Sequence, residues 1–76
     1  MDWRAESRVL RDVLAANVRR LRKARGWSQE VLGDAADLHR TQVGAIERAE
    51  KNVQLGTIAK LSVALDVRAL DLLRAG

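Results

Sequence analysis

Apolar residues recur along the whole chain at intervals of three and four positions, the spacing of one buried face on an α-helix. No stretch of useful length alternates strictly between apolar and polar residues, as a half-buried strand would. The pattern therefore predicts an all-α fold of five helices. With 76 residues, the chain is expected to form one domain, with residues 1-10 as an N-terminal extension of the first helix.

Caps and breakers predict where the helices begin and end. Helix one is predicted over about 7–25, ended by Gly26, and helix two over 29–36 after the N-cap Ser28. Helix three is predicted over 40–48; helix four follows the polar connector "AEKNVQ", and helix five occupies "DVRALDLLRAG" up to Gly76. The predicted core-facing residues are Leu10, Leu14, Val18, Leu21, Leu32, Ala36, Val43, Ile46, Leu55, Ile58, Leu61 and Leu65.

Only "DL" separates the buried face of helix two from that of helix three, with neither Gly nor Pro between them. Two helices joined this closely must cross steeply, as in a helix-turn-helix. Such a turn needs one residue with positive φ, and Asp tolerates this better than most residues, so Asp37 is predicted to take it. Leu38 is then expected to fill the angle between the helices, and Gly33 to permit their close approach.

The composition argues against several kinds of site. The chain has no Cys and one His, so it is expected to hold no disulfide, no metal and no cofactor. No run approaches the roughly 20 apolar residues that span a bilayer. The segment "MDWRAESRVL" also lacks the apolar core of a signal peptide. A soluble, cytoplasmic protein without a membrane partner is predicted.

The net charge of +4 is concentrated in one segment, "NVRRLRKAR". Its basic residues are Arg19, Arg20, Arg22, Lys23 and Arg25. Such density suggests a polyanionic partner, although a solvated helix face is an equal alternative on charge alone. Two aromatic residues in the chain argue against a stacking platform for single-stranded nucleic acid.

Helix three carries an unusual outward face. When Val43 and Ile46 point inward, the opposite side is predicted to hold Arg40, Thr41, Gly44, Ala45 and Arg48. Small residues would let the backbone lie deep in a major groove, where arginine forks onto guanine and threonine meets a thymine methyl group or a phosphate. A merely solvated face would more often carry Glu, Lys and Gln.

From about 18 to 73 the chain resembles the Xre-type family, the lambda-repressor-like helix-turn-helix DNA-binding domains. The resemblance lies in "GWSQ", "IER", the Asn of "KN" and "LxTIxKLxxALxV", in this order. It implies five helices, double-stranded DNA as partner, binding as a homodimer, and transcriptional control. "LHRT", "IER" and the following Asn also resemble controller proteins of restriction–modification systems.

The resemblance and the predicted face together nominate site residues. The candidate base contacts are Arg40, Thr41, Gly44 and Ala45. The candidate DNA-backbone contacts are Gln29, His39, Gln42, Arg48, Lys51 and Asn52, with His39 reaching a phosphate only when protonated. Arg22 and Glu47 match a structural ion pair that joins helix one to helix three.

Departures from the family pattern predict modest stability. His39, Gln54 and Arg68 replace better helix caps, each at a cost on the order of 1 kcal/mol. His39 is either a poor cap or a pH sensor, and no neighbouring Ser or Cys suggests catalysis by it. Trp27 is predicted to cover the core, whereas Trp3 either packs under the bundle or belongs to a loose terminus.

Leu70 stands where the family commonly has a polar residue. Together with Val67 and Leu73 it is predicted to form a dimer interface, because an exposed apolar patch favours an interface. The sequence thus predicts a homodimeric, sequence-specific regulator that binds a near-palindromic operator without a small-molecule effector. The alternative is an antitoxin or adaptor whose main partner is a protein. An enzyme is not expected, since no paired acid–base set is present.

Overall fold

The computed structural model describes residues 1–75 and contains five α-helices, with no strand among those residues. The helices are α1 (Trp3–Ala24), α2 (Gln29–Ala36), α3 (Arg40–Glu47), α4 (Leu55–Ala64) and α5 (Ala69–Leu72). The predicted all-α, five-helix fold is confirmed. No helix in this part of the chain is long and apolar enough to cross a membrane.

The first and last helices differ in length from the prediction. α1 begins earlier than predicted, because Asp2 caps it by accepting a hydrogen bond from the Arg4 backbone N–H at 2.9 Å. α5 is a single turn, from Ala69 to Leu72, and is much shorter than predicted. The expected end of the fifth helix at Gly76 lies outside the described residues.

All five helices supply residues to one core, which surrounds Leu32, Leu61 and Leu72, each fully buried. Two predicted core residues are wrong: Leu10 is 48% exposed and Leu55 is 82% exposed. Both residues line one open groove with Leu14, Ile58 and Leu73, so they border the core without being enclosed by it. Trp27 packs against the core as predicted, whereas Trp3 is 67% exposed.

The turn between α2 and α3 has the predicted geometry. Asp37 lies in the left-handed region at φ 56° and ψ 47°, and Leu38 packs against the core. A Cβ added to Gly33 would lie 2.6 Å from the carbonyl oxygen of Leu38, so only glycine fits beneath the turn. The close approach predicted at Gly33 is therefore between Gly33 and the backbone of the turn.

The expectation that His39 is a poor cap is wrong. Its Nδ1 accepts a hydrogen bond from the Thr41 backbone N–H at 3.1 Å. In return, Oε1 of Gln42 accepts from the His39 backbone N–H at 2.9 Å. The start of α3 is thus capped from both sides. Gln54 provides no side-chain cap for α4, as expected.

Candidate nucleic-acid interface

A bidentate ion pair joins α1 to α3 at the base of the helix-turn-helix. Arg22 donates from Nε to Oε2 of Glu47 at 2.7 Å and from Nη2 to Oε1 at 2.9 Å. The Glu47 side chain is 2% exposed, so this carboxylate is held inside the bundle by a matching guanidinium. The pair that the resemblance implied is present.

The protonation of this pair is determined by its hydrogen bonds. Burial by itself would raise the pKa of the Glu47 carboxyl group. Hydrogen bonds from Arg22 and Gln29, together with the charges of Arg22 and Arg19, outweigh burial and lower that pKa. The hydrogen bond to Glu47 raises the pKa of the Arg22 guanidinium. Both groups are charged near neutral pH.

Arg19 contributes to the same end of α3 and is not merely solvated. Its Nη2 donates to the backbone carbonyl of Glu47 at 2.8 Å, where the last carbonyls of a helix lack partners within that helix. Its Nε lies 3.9 Å from Oε1 of Glu47. Arg19, which belongs to the basic segment, therefore stabilises the C-terminal end of α3.

The exposed face of α3 is narrower than predicted. Arg40 and Thr41 lie at its start and are exposed, and Arg48 is exposed just after its end. Gly44 and Ala45 are buried, so the prediction that they face outward is wrong. The Arg48 guanidinium and the Gln29 amide lie over Gly44, and Ala45 lines a cleft with Lys51 and other residues of the α3–α4 connector. These neighbours, which α3 alone does not reveal, cover its small residues.

Both exposed arginines of this face form ion pairs with glutamates that were not predicted as their partners. Nη1 of Arg40 donates to Oε2 of Glu30, on α2, at 3.0 Å. Nε of Arg48 donates to Oε1 of Glu50 at 3.0 Å. The partners of the first pair are ten residues apart on different helices, so no local pattern signals it.

The candidate backbone contacts surround this face. Gln29 is half-buried at the start of α2, and its Nε2 donates to Oε1 of Glu47 at 3.2 Å. Lys51 and Asn52 are exposed and line the same cleft as Gln42, beside α3. His39 is exposed at the N-terminus of α3. These side chains come from three segments and lie around one helix.

Exposed apolar side chains also lie near the C-terminal end of the described chain. Leu70 is 72% exposed and Val63 is 81% exposed, while Val67 and Leu73 are half-buried against the core. A buried asparagine fastens this end to α1: Nδ2 of Asn17 lies 2.9 Å from each of the carbonyl oxygens of Leu72 and Arg74. Asn17 was not predicted, because a lone polar residue in a helix carries no pattern.

A helix-turn-helix family model matches residues 18–72, which include all of α2, α3 and α4. The chain belongs to the Xre-like helix-turn-helix family. This confirms the family resemblance found in the sequence. The members are DNA-binding regulators rather than enzymes, as predicted.

Relatives of this helix-turn-helix chain include transcription factors and restriction–modification controllers. A hypothetical transcription factor of Neisseria meningitidis is 48% identical over 64 residues, covering 84% of this chain and 60% of that protein. Control protein C.SmaI of Serratia marcescens is 42% identical, covering 84% of this chain and 76% of the controller. The crystal structure of the controller C.AhdI of Aeromonas hydrophila superposes with a TM-score of 0.78 at 40% identity, covering 82% and 94% of the two chains. The chain thus spans about three fifths of the Neisseria relative.

Proposed function

We propose that this protein is a sequence-specific transcription regulator that binds double-stranded DNA as a homodimer. The single observation that carries the proposal is the exposure of Arg40 and Thr41 at the start of the recognition helix α3. In a helix-turn-helix, residues at this end of the second helix contact base edges in the major groove. Family membership and the relatives' descriptions support the same function.

Arg40 carries most of the base discrimination in this proposal, and Thr41 is second. A guanidinium matches the O6 and N7 acceptors of guanine, and a threonine methyl group packs on thymine. Because Gly44 and Ala45 are covered, they contribute by keeping α3 slender rather than by touching bases. Arg48 lies across Gly44, at the edge of the exposed face, within reach of the DNA backbone.

Gln29, Lys51 and Asn52 are proposed to hold phosphates and so fix the register of α3 in the groove. Gln29 begins α2, where free backbone N–H groups and the helix dipole favour an anion. His39 and Gln42 cap α3 and are exposed at its start, so they are proposed as further contacts to the DNA backbone. Contacts of this kind carry affinity without sequence preference.

The homodimer is proposed to form through Val67, Leu70 and Leu73 near α5. Leu70 exposes 72% of its surface and lies three positions from both Val67 and Leu73 in the sequence, and a partner subunit would remove the cost of that exposure. Two-fold symmetry would place two α3 helices about 34 Å apart, one turn of duplex, so the operator is expected to be a near-palindrome.

Selection of duplexes from a random pool tests the function directly. A near-palindromic consensus is expected, with log affinity falling linearly as log salt concentration rises. Arg40→Ala is expected to lose roughly 1–3 kcal/mol on the selected duplex and to relax preference at one base pair. Lys51→Ala should weaken the selected and random duplexes alike and flatten the salt dependence. Equal effects of Arg40→Ala on both duplexes would overturn the role given to Arg40.

A further inference from the structure

The first turns of α1 reach the α3–α4 connector through one hydrogen-bonded cluster. Nη1 of Arg11 donates to Oδ1 of Asn52 at 2.8 Å and to Oγ of Ser7 at 2.8 Å. The Ser7 hydroxyl in turn donates to Oδ1 of Asn52 at 3.1 Å. Ser7 and Arg11 both precede residues 18–72, the part of the chain that the family model matches. The family pattern therefore assigns neither residue a role.

This cluster determines which way the Asn52 amide faces. Two donors point at Oδ1, and a rotated amide would instead place its own N–H donors against them. Nδ2 is consequently turned away from α1, and it donates to no residue within 1–75. Asn52 is exposed in the connector that lies beside α3. A free amide donor is thus presented on the candidate DNA-binding side.

We propose that Ser7 and Arg11 are positioning residues that hold Asn52 so that its Nδ2 donates to a DNA phosphate. The inference rests on the proposed function. The amide is oriented before DNA arrives, so less side-chain entropy is lost on binding. The segment that precedes the family match is therefore part of the DNA-binding machinery without itself reading the sequence.

A double-mutant cycle tests this coupling on the selected duplex and on a random one. Asn52→Ala is expected to weaken both complexes roughly tenfold, the loss of one hydrogen bond to a charged group. Arg11→Met is expected to weaken both by about threefold or more, since a misoriented amide binds phosphate less often. Once Asn52 is alanine, Arg11→Met should cause little further loss, because coupled residues are not additive. Ser7→Ala should follow the same pattern with a smaller loss while keeping every charge.

Arg8→Met is the matched control for charge. Arg8 lies on α1 close to Arg11 but makes no hydrogen bond to Asn52. Arg8→Met should weaken duplex binding only slightly, and in the double variant its fold-loss of affinity should multiply with that of Asn52→Ala. Asn52→Asp keeps the acceptor for Arg11, so the structural tie is retained, but it replaces the N–H donor with a charged oxygen that phosphate repels. It should leave the urea midpoint unchanged or higher while weakening both duplex complexes.

Each failure identifies what is wrong. If the fold-losses of affinity from Arg11→Met and Asn52→Ala multiplied in the double variant, Arg11 would act only as a charge. That result would overturn the inference. Wild-type affinity in Asn52→Ala or Asn52→Asp would overturn it too, while the proposed function stands on the duplex binding of the wild type. A wild-type protein that binds no duplex would overturn both.

Discussion

Oε2 of Glu30 accepts a hydrogen bond from Nη1 of Arg40 at 3.0 Å, so an acid on α2 holds the residue proposed to read a base. Both side chains are more than 60% exposed, so the pair contributes little to stability. We expect its consequence in DNA binding, since a carboxylate repels phosphates and competes with them for the guanidinium.

Glu30→Gln is expected to strengthen binding to random duplex more than binding to the selected duplex. The change removes a negative charge near the DNA and frees Arg40 to contact phosphates non-specifically. Fluorescence anisotropy titrations with both duplexes measure the ratio of the two affinities, which should fall.

Glu50→Gln is the control, because Glu50 pairs with Arg48 rather than with Arg40. It should strengthen both complexes by similar factors. If the two variants changed the affinity ratio equally, Glu30 would have no particular influence on discrimination.

Acid is expected to destabilise the fold through Glu47. The folded state lowers the pKa of this carboxyl group below its ordinary value of about 4.3, so its contribution to stability is complete above that pH. The contribution is lost as pH falls through the lower pKa of the folded state. Urea unfolding as a function of pH should therefore show a decline that begins near pH 4.

Glu47→Gln should remove part of that decline and reduce stability at pH 7 by roughly 3 kcal/mol, since it leaves the mostly buried Arg22 without a carboxylate. Glu30→Gln, at an exposed acid, serves as the comparison and should retain the decline. An unchanged acid slope in Glu47→Gln would place the titrating group elsewhere.

Gly33→Ala is expected to destabilise the protein by about 2 kcal/mol, because the new Cβ would lie 2.6 Å from the Leu38 carbonyl oxygen. Gly56→Ala makes the same chemical change inside α4, where no atom lies within 4 Å of the added Cβ. That variant should gain up to about 1 kcal/mol, since alanine favours helix. Urea unfolding of both variants measures the contrast, and a Gly33→Ala protein of wild-type stability would contradict the close approach.

Leu70→Glu is expected to shift the protein from dimer to monomer, because a charge would be placed in the proposed apolar interface. Val31→Glu is matched to it, since Val31 is also an exposed apolar residue and lies on α2, away from the proposed interface. Sedimentation velocity at several protein concentrations gives the association state of each. Dissociation by Val31→Glu and not by Leu70→Glu would contradict an interface at α5.

The interval of three and four residues determined the helices, and the two-residue gap at Asp37 determined the sharp turn between α2 and α3. Both are local properties, since periodicity and φ preference depend on neighbours along the chain. The pairing of Arg22 with Glu47 came instead from the family resemblance. The short distances between the two side chains arise because α1 and α3 pack together in the folded bundle.

Only the tertiary structure decided which side of α3 is left uncovered. A helical wheel places Gly44 and Ala45 away from the inward side that Val43 and Ile46 define, yet Gln29, Arg48 and the connector lie over them. The same holds for the bonds from Ser7 and Arg11 to Asn52, which join residues more than 40 positions apart. Burial and long-range hydrogen bonds depend on how separate segments meet in space, and helical periodicity describes each segment alone.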